Sequence, residues 1–174
     1  MVLRYNFMMK KSALLALLAL LLCCCDSVNN KEVPQTMVRI DLGTFALWDT
    51  YGVTGAGDYR IFNRPKKQPS NFPYNVNTYT GYGGVLLMMG FEGGNYGPVA
   101  YDAACPVENR PDVSVGVDAS NFDAVCPLCK SRYNVFNGGG GPISGQAATR
   151  KPPLGLRILS VRASDYGGYI ITSY

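Results

Sequence analysis

The sequence predicts an all-β domain, and three observations carry that expectation. Short runs rich in Val, Ile, Tyr and Phe recur along the body of the chain, and Gly, Pro, Asn or Asp punctuates nearly every gap between them. No window after residue 26 sustains a helical apolar period over the roughly ten residues that a helix assignment needs. Sheets packed on each other and joined by long loops are what such a pattern builds.

The expected strands follow in order: MVRID (37–41), YRIFN (59–63), VLLMMGF (85–91), VAYD (99–102), VSVGVD (113–118), RYNVF (132–136), LRILSV (156–161) and YIITS (169–173). Each is short and rich in β-branched, aromatic or long apolar side chains, and several alternate with polar ones, as a half-buried strand does. The least regular stretch is 52–81, with two adjacent lysines and three prolines, and it reads as a long surface excursion. At 174 residues with 47% hydrophobic content, the chain is long enough for one domain with a core and short for two. No internal repeat is visible.

The N-terminal part follows a different logic. Met9-Lys10-Lys11 precedes the apolar run SALLALLALLL (12–22), which stops at Cys23, Cys24 and Cys25. A bilayer crossing needs about 20 apolar residues, so this run reads as an export signal rather than a span. Its ending in cysteine rather than Ala-x-Ala resembles a bacterial lipoprotein signal, whose first mature residue is a lipid-modified Cys. Cys25 is the expected lipidation site, with Cys24 and Cys23 as alternatives. The sequence thus divides into a signal peptide (1–25), a polar tether DSVNNKEVPQ (26–35) and a folded domain (36–174). The expected location is the bacterial cell envelope, anchored to a membrane through lipid.

The formal net charge is +4, but Arg4, Lys10 and Lys11 belong to the signal. Without them 13 basic residues face 12 acidic ones. A nearly neutral domain offers no electrostatic case for nucleic acid. The chain has no histidine, which excludes His-dependent hydrolytic arrangements, and no carboxylate pair stands out as a catalytic dyad. No catalytic residue is therefore assigned.

Two loops carry the remaining chemistry: AYDAACPVE (100–108) and AVCPLCKSRYNVF (124–136). Each sets a Cys-Pro just after a strand-like run, and the proline fixes the local backbone while removing one donor, freeing neighbouring amides to point at sulfur. A thioredoxin-like reading of CPLC requires a helix N-terminus to lower the thiol pKa. The segment KSRYNVF that follows is instead a strand pattern. Gly138 to Gly141 lacks the Gly-Lys-Ser/Thr ending of a phosphate loop and reads as a flexible turn. TYTGYGG (78–84) reads as sheet surface rather than a sugar platform.

Taken together, Ala-Tyr-Asp-Ala-Ala-Cys-Pro, the second Cys-Pro loop with its Ser and Tyr, and the Gly-rich turn after it resemble the Rieske iron-sulfur domain over roughly residues 82–174. That family supplies Cys and His from each loop to a [2Fe-2S] cluster. The resemblance matches Cys105 and Cys126 to the family cysteines, and Ser131 and Tyr133 to the Ser and Tyr that hydrogen-bond to the cluster or a ligand. Ser144-Gly145-Gln146-Ala147 corresponds to a covering loop, with Gln146 in place of Pro. It implies an antiparallel sheet base carrying a small two-loop subdomain.

The departures fall on the ligands. Val107 stands at the first His position and Cys129 at the second, so the ordinary Cys2His2 site cannot form. In the family the two matching sulfurs share one iron and lie close together. Without iron in an oxidising compartment, the resemblance therefore implies a disulfide between Cys105 and Cys126, a clamp worth about 3 kcal/mol for a loop of this size. The expectation is an exported domain that acts by binding or structural contact, with no resident metal and an unidentified protein or small-molecule partner. A Cys126–Cys129 disulfide stays open. The alternative is an electron-transfer protein whose atypical [2Fe-2S] centre rests on Cys105, Cys126 and Cys129, with Glu108 or an outside group as the fourth ligand.

Overall fold

The computed structural model describes residues 27–173. The expected signal peptide and the lipidation site at Cys25 lie outside these residues. The described chain is all-β: eleven strands in two antiparallel sheets, with two short helices.

The larger sheet has the order β2-β4-β5-β10-β11-β1-β3, with β1 Val38–Thr44, β2 Tyr59–Phe62, β3 Tyr79–Thr80, β4 Val85–Glu92, β5 Asn95–Asp102, β10 Ile158–Ala163 and β11 Gly167–Thr172. In β1 the alternation is clean: Val38, Ile40 and Leu42 are buried, while Arg39 and Asp41 between them face solvent. β4 is different, because its apolar run VLLM is buried on both faces. Leu86 and Met88 join one core cluster, whereas Val85 and Leu87 join the other. Side chains of period two put neighbours on opposite faces, so an unbroken apolar run marks a strand covered on both sides. β4 and β5 pair from Val85↔Asp102 to Glu92↔Asn95 and form the structural spine.

The smaller sheet has the order β6-β7-β8-β9, from β6 Gly116–Asp118, β7 Asp123–Val125, β8 Arg132–Asn134 and β9 Pro142–Ser144. Arg132 on β8 ties three strands together, with its guanidinium 2.8 Å from Asp118 on β6 and 3.1 Å from Asp123 on β7. That pairing holds the Asp118 carboxyl below its ordinary range. The β8–β9 register shifts between Arg132 and Tyr133, an irregularity of the kind that re-aims neighbouring side chains. The sheets meet through a core that includes Leu86, Met88, Tyr101, Val113, Val115, Tyr133, Leu156 and two cysteines, Cys105 and Cys126. The buried Tyr101 hydroxyl donates to Val135 O at 3.2 Å, joining β5 to the segment after β8.

Three features depart from the sequence expectations. Helix α1, Phe45–Tyr51, is N-capped by Thr44, whose hydroxyl accepts from Leu47 N, and it buries Trp48. At seven residues it is too short for periodicity to reveal. The 52–81 stretch is not merely a surface excursion. Val53, Phe62 and Phe72 are buried, and Phe72 packs edge-on against Tyr51, Phe62 and Tyr74 at 4.8 to 5.1 Å between ring centroids.

The third correction concerns the tether. Asn29 makes a parallel bridge to Leu154, with Asn29 N donating to Pro153 O and Gly155 N donating to Asn29 O. Val33 is buried, and the Arg157 guanidinium donates to Val33 O and Lys31 O. Backbone pairing and one apolar anchor turn this polar segment into a strap laid on the domain.

Replacing Tyr101 with Phe removes one cross-sheet hydrogen bond without changing the ring. Urea unfolding should show a loss of about 1 kcal/mol, with no change in the far-UV spectrum of the native state.

Candidate metal centre

The first cysteine loop leaves the end of β5 and is held by a buried carboxylate. Asp102 accepts from the amides of Tyr82 (2.9 Å), Gly83 (3.0 Å) and Ala104 (2.9 Å). Burial pushes the Asp102 carboxyl up, while these three amides and Arg157 pull the other way. The turn it ties down is close-packed, since a Cβ on Gly83 would lie 2.4 Å from Ala104 N. Cys105 follows, its amide donating to Val113 O, and its carbonyl accepts from Asn109 N at 2.8 Å.

The second loop leaves β7 and closes through Cys126 N donating to Ser131 O at 3.0 Å. Each loop places a non-glycine residue in the left-handed region four positions after its Cys-Pro cysteine: Asn109 at φ 47° and Lys130 at φ 58°. Such residues need outside support to hold that conformation. At Lys130, Nζ donates to Pro127 O at 2.6 Å across the turn.

These loops bring three sulfurs together. The Sγ atoms of Cys105, Cys126 and Cys129 all lie within 4.8 Å of one another. Cys105 and Cys126 are buried, whereas Cys129 is partly exposed. The Tyr133 hydroxyl lies 3.4 Å from Cys105 Sγ, and the Cys129 thiol donates to Ser131 Oγ at 3.3 Å. Ser131 is positioned in turn by the loop above it, where Ala147 N donates to Ser131 Oγ at 3.0 Å. That loop runs into helix α2, Gln146–Thr149, and turns at Gly145, whose φ of 81° suits glycine. A Cβ there would lie 2.8 Å from Ser131 Cα.

The environments differ in electrostatics. Burial pushes the Cys105 thiol up to about 12, against the pull of Tyr133 and the amides of Glu108 and Val107. Burial also acts to raise Cys129, but the Ser131 hydroxyl and amide, with the two neighbouring sulfurs, bring it below the ordinary thiol range. Tyr133 is pushed up by its own burial and by Cys105.

Every sequence-derived site residue within the described chain, namely Cys105, Cys126, Cys129, Ser131 and Tyr133, belongs to this one cluster. The expected disulfide between Cys105 and Cys126 is not formed, and all three cysteines are free thiols. Cys105 Sγ and Cys129 Sγ lie 3.6 Å apart, in contact across the two loops. Glu108 is not part of the sulfur group. Asp102 and Gly83 were assigned no role from sequence, and Gly145 appeared there only as part of the covering loop. The only available signal for the first was its place three residues before a cysteine at a strand end.

A groove of about 520 Å³ beside the second loop is lined by Pro127 but by none of the cysteines, so the sulfurs do not floor a ligand pocket there. No family model matches the chain, and no curated protein or solved structure does so.

Asp102→Asn puts an amide where three N–H donors converge and should leave at least one of them unpaired. A loss of about 1–3 kcal/mol is expected in chemical unfolding, with the larger effect on the first cysteine loop visible as faster amide exchange at Ala104 and Cys105.

Proposed function

We propose that this protein is an exported, lipid-anchored domain of Rieske-like architecture whose two-loop site holds a single thiophilic metal ion, zinc or copper(I), on Cys105, Cys126 and Cys129. The observation that carries the reading is the convergence of three free sulfurs within 4.8 Å. Thiolates about 2.3 Å from one tetrahedral ion lie about 3.8 Å apart, and the 3.6 Å between Cys105 and Cys129 suits that spacing. Soft sulfur donors select zinc, copper(I) or iron-sulfur centres over hard cations.

The donor set fits one ion better than a [2Fe-2S] cluster. A two-iron centre takes four protein ligands, and three are grouped among the described residues. Val107, at the position where the resemblance puts a histidine, carries no donor. With three protein ligands, the fourth coordination position is left to water or a partner's donor, on the side of the partly exposed Cys129. Leu128 beside it is 54% exposed, giving that side an apolar rim. Ser131 and Tyr133 fit the role of outer partners that orient thiolates and tune their basicity. The ion would clamp the two loops and hold the three sulfurs deprotonated.

A second reading, the disulfide clamp, is favoured by the approach of Cys105 and Cys129, whose sulfurs are already in contact. In it the protein is a metal-free binding or structural domain.

Metal analysis of the purified full chain separates these readings. Zinc or copper at one equivalent, no visible absorbance and no disulfide in non-reducing peptide mapping are the expected results. Stoichiometric iron with visible absorbance would establish the iron-sulfur alternative, and a metal-free chain with Cys105 in a disulfide would establish the clamp. Ser131→Ala should weaken metal affinity by roughly 10- to 100-fold in competition with a chelator. Cys129→Ser should weaken it further, since a ligand is lost.

A further inference from the structure

The two adjacent lysines, Lys66 and Lys67, stand on a well-anchored hairpin turn. Asn63 and Gln68 close it by exchanging backbone bonds, Asn63 N donating to Gln68 O at 2.8 Å and Gln68 N to Asn63 O at 3.0 Å. The buried Asn63 side chain roots it, since Nδ2 donates to Gly83 O and Oδ1 accepts from Lys66 N, both at 3.1 Å. Between those closing residues Arg64, Lys66 and Lys67 are exposed, and none of the three forms an ion pair among the described residues. Lys66 Nζ donates to two neutral oxygens, Ser114 Oγ at 3.1 Å and the Asp112 carbonyl at 3.4 Å. The Asp112 carboxylate beside it is held by Arg110 through Nε and a terminal nitrogen.

The bond to Ser114 sets this cation at one end of the groove of about 520 Å³. Ser114 to Asp118 line that groove consecutively, so it follows a length of extended chain. β6 is the last strand of the smaller sheet and pairs only with β7, and Ile61 on the opposite wall belongs to β2, an edge strand of the larger sheet. Apolar surface comes from Ile61, Val115, Val117, Val125 and Pro127. A Cβ added at Gly116 would meet no neighbour, so the chain leaves that wall uncovered. At the far end Arg132 is already matched by Asp118 and Asp123, which leaves Lys66 as the uncompensated cation of the lining.

We propose that this groove takes an extended segment of a partner protein, added antiparallel to β6, with apolar side chains at alternate positions and acidic side chains at its C-terminal end against the Arg64–Lys67 turn. An unpaired strand edge offers a row of backbone donors and acceptors to an added strand, and alternate side chains of that strand fall into the groove beneath it. Every pairing in the smaller sheet is antiparallel, and a strand added in that sense ends beside Ser114, where the cations are. Three cations spread over one turn match several carboxylates rather than a single chain terminus. The Val115 amide is already bonded to Ala103 O, so backbone pairing is confined to β6 itself, and selectivity falls to the apolar floor and the charged end. None of the cysteines lines the groove, so the inference is independent of what the thiol site holds.

The test uses the full chain in detergent, immobilised and offered a displayed library of random peptides, with recovered sequences resynthesised and measured by fluorescence anisotropy. Alternating apolar residues followed by Asp or Glu toward the C-terminus are expected, together with slower amide exchange across Gly116–Asp118 on binding. Lys66→Gln should weaken binding by about fivefold at low salt and flatten its salt dependence. Gly116→Trp, which fills space that no neighbour occupies, should abolish binding with the far-UV spectrum unchanged. Recovery of no peptide overturns the proposal, and so do acidic peptides whose reversed sequences bind equally well, since that is charge attraction alone. A chain that is dimeric until Gly116→Trp is introduced puts a second copy in the groove and overturns the partner segment.

Discussion

The buried carboxylate of Asp102 joins three parts of the chain that would otherwise move independently: the end of β5, the Tyr82–Gly83 turn and the Ala104 amide beside Cys105. Three backbone donors satisfy it where water cannot, and the bond to Ala104 sets the direction in which the first cysteine loop leaves the sheet. Gly83 allows the two backbones to approach because any side chain there would meet Ala104. From this corner the order of dependence runs outward. Cys105 enters the inter-sheet core, Tyr133 on β8 packs and bonds against its sulfur, and the second loop closes over both.

Placing three cysteines in one partly buried cluster has an electrostatic cost. Three thiolates at this separation repel one another, and low polarity around Cys105 favours the neutral thiol. Three protons neutralise the cluster, whereas a bound cation would offset part of the thiolate charge, and exchanging protons for the cation would release protons on binding. Cys129 alone of the three is partly exposed, and Ser131 with the neighbouring sulfurs brings it below the ordinary thiol range. Ser131 links it to the covering loop, so a change at Gly145 or Ala147 would be felt at Cys129 without touching a sulfur.

The strands that were legible are those in which local pattern and burial coincide. β1 alternates, β4 is an unbroken apolar run, and β10 and β11 are β-branched and follow glycine-rich or proline-rich turns. What escaped notice was short or decided from a distance. β3 and β9 have two and three residues, too few for a period to register, and they exist because a neighbouring strand supplies the pairing. Phe72 looked like part of an exposed proline-rich loop, yet it completes an aromatic cluster with residues from α1 and β2.

The polar strap shows the same limit from the opposite side. DSVNNKEVPQ has no apolar period, and composition alone makes it a tether, but Asn29 finds a backbone partner 125 positions further along the chain and Val33 finds the core. For the site, residue type and spacing named the three cysteines, and the resemblance to the Rieske family named Ser131 and Tyr133. Which sulfurs approach each other was a tertiary decision. The pairing depends on how Asp102 and the β8–β9 irregularity orient two loops some twenty residues apart, and no local pattern encodes that relation. By itself the sequence determined an all-β body and a thiol-bearing, histidine-free pair of loops, since both follow from residue chemistry and short-range period. Only the folded chain decided that the three sulfurs converge, with Cys105 and Cys129 3.6 Å apart, because that contact is made between loops and not within one.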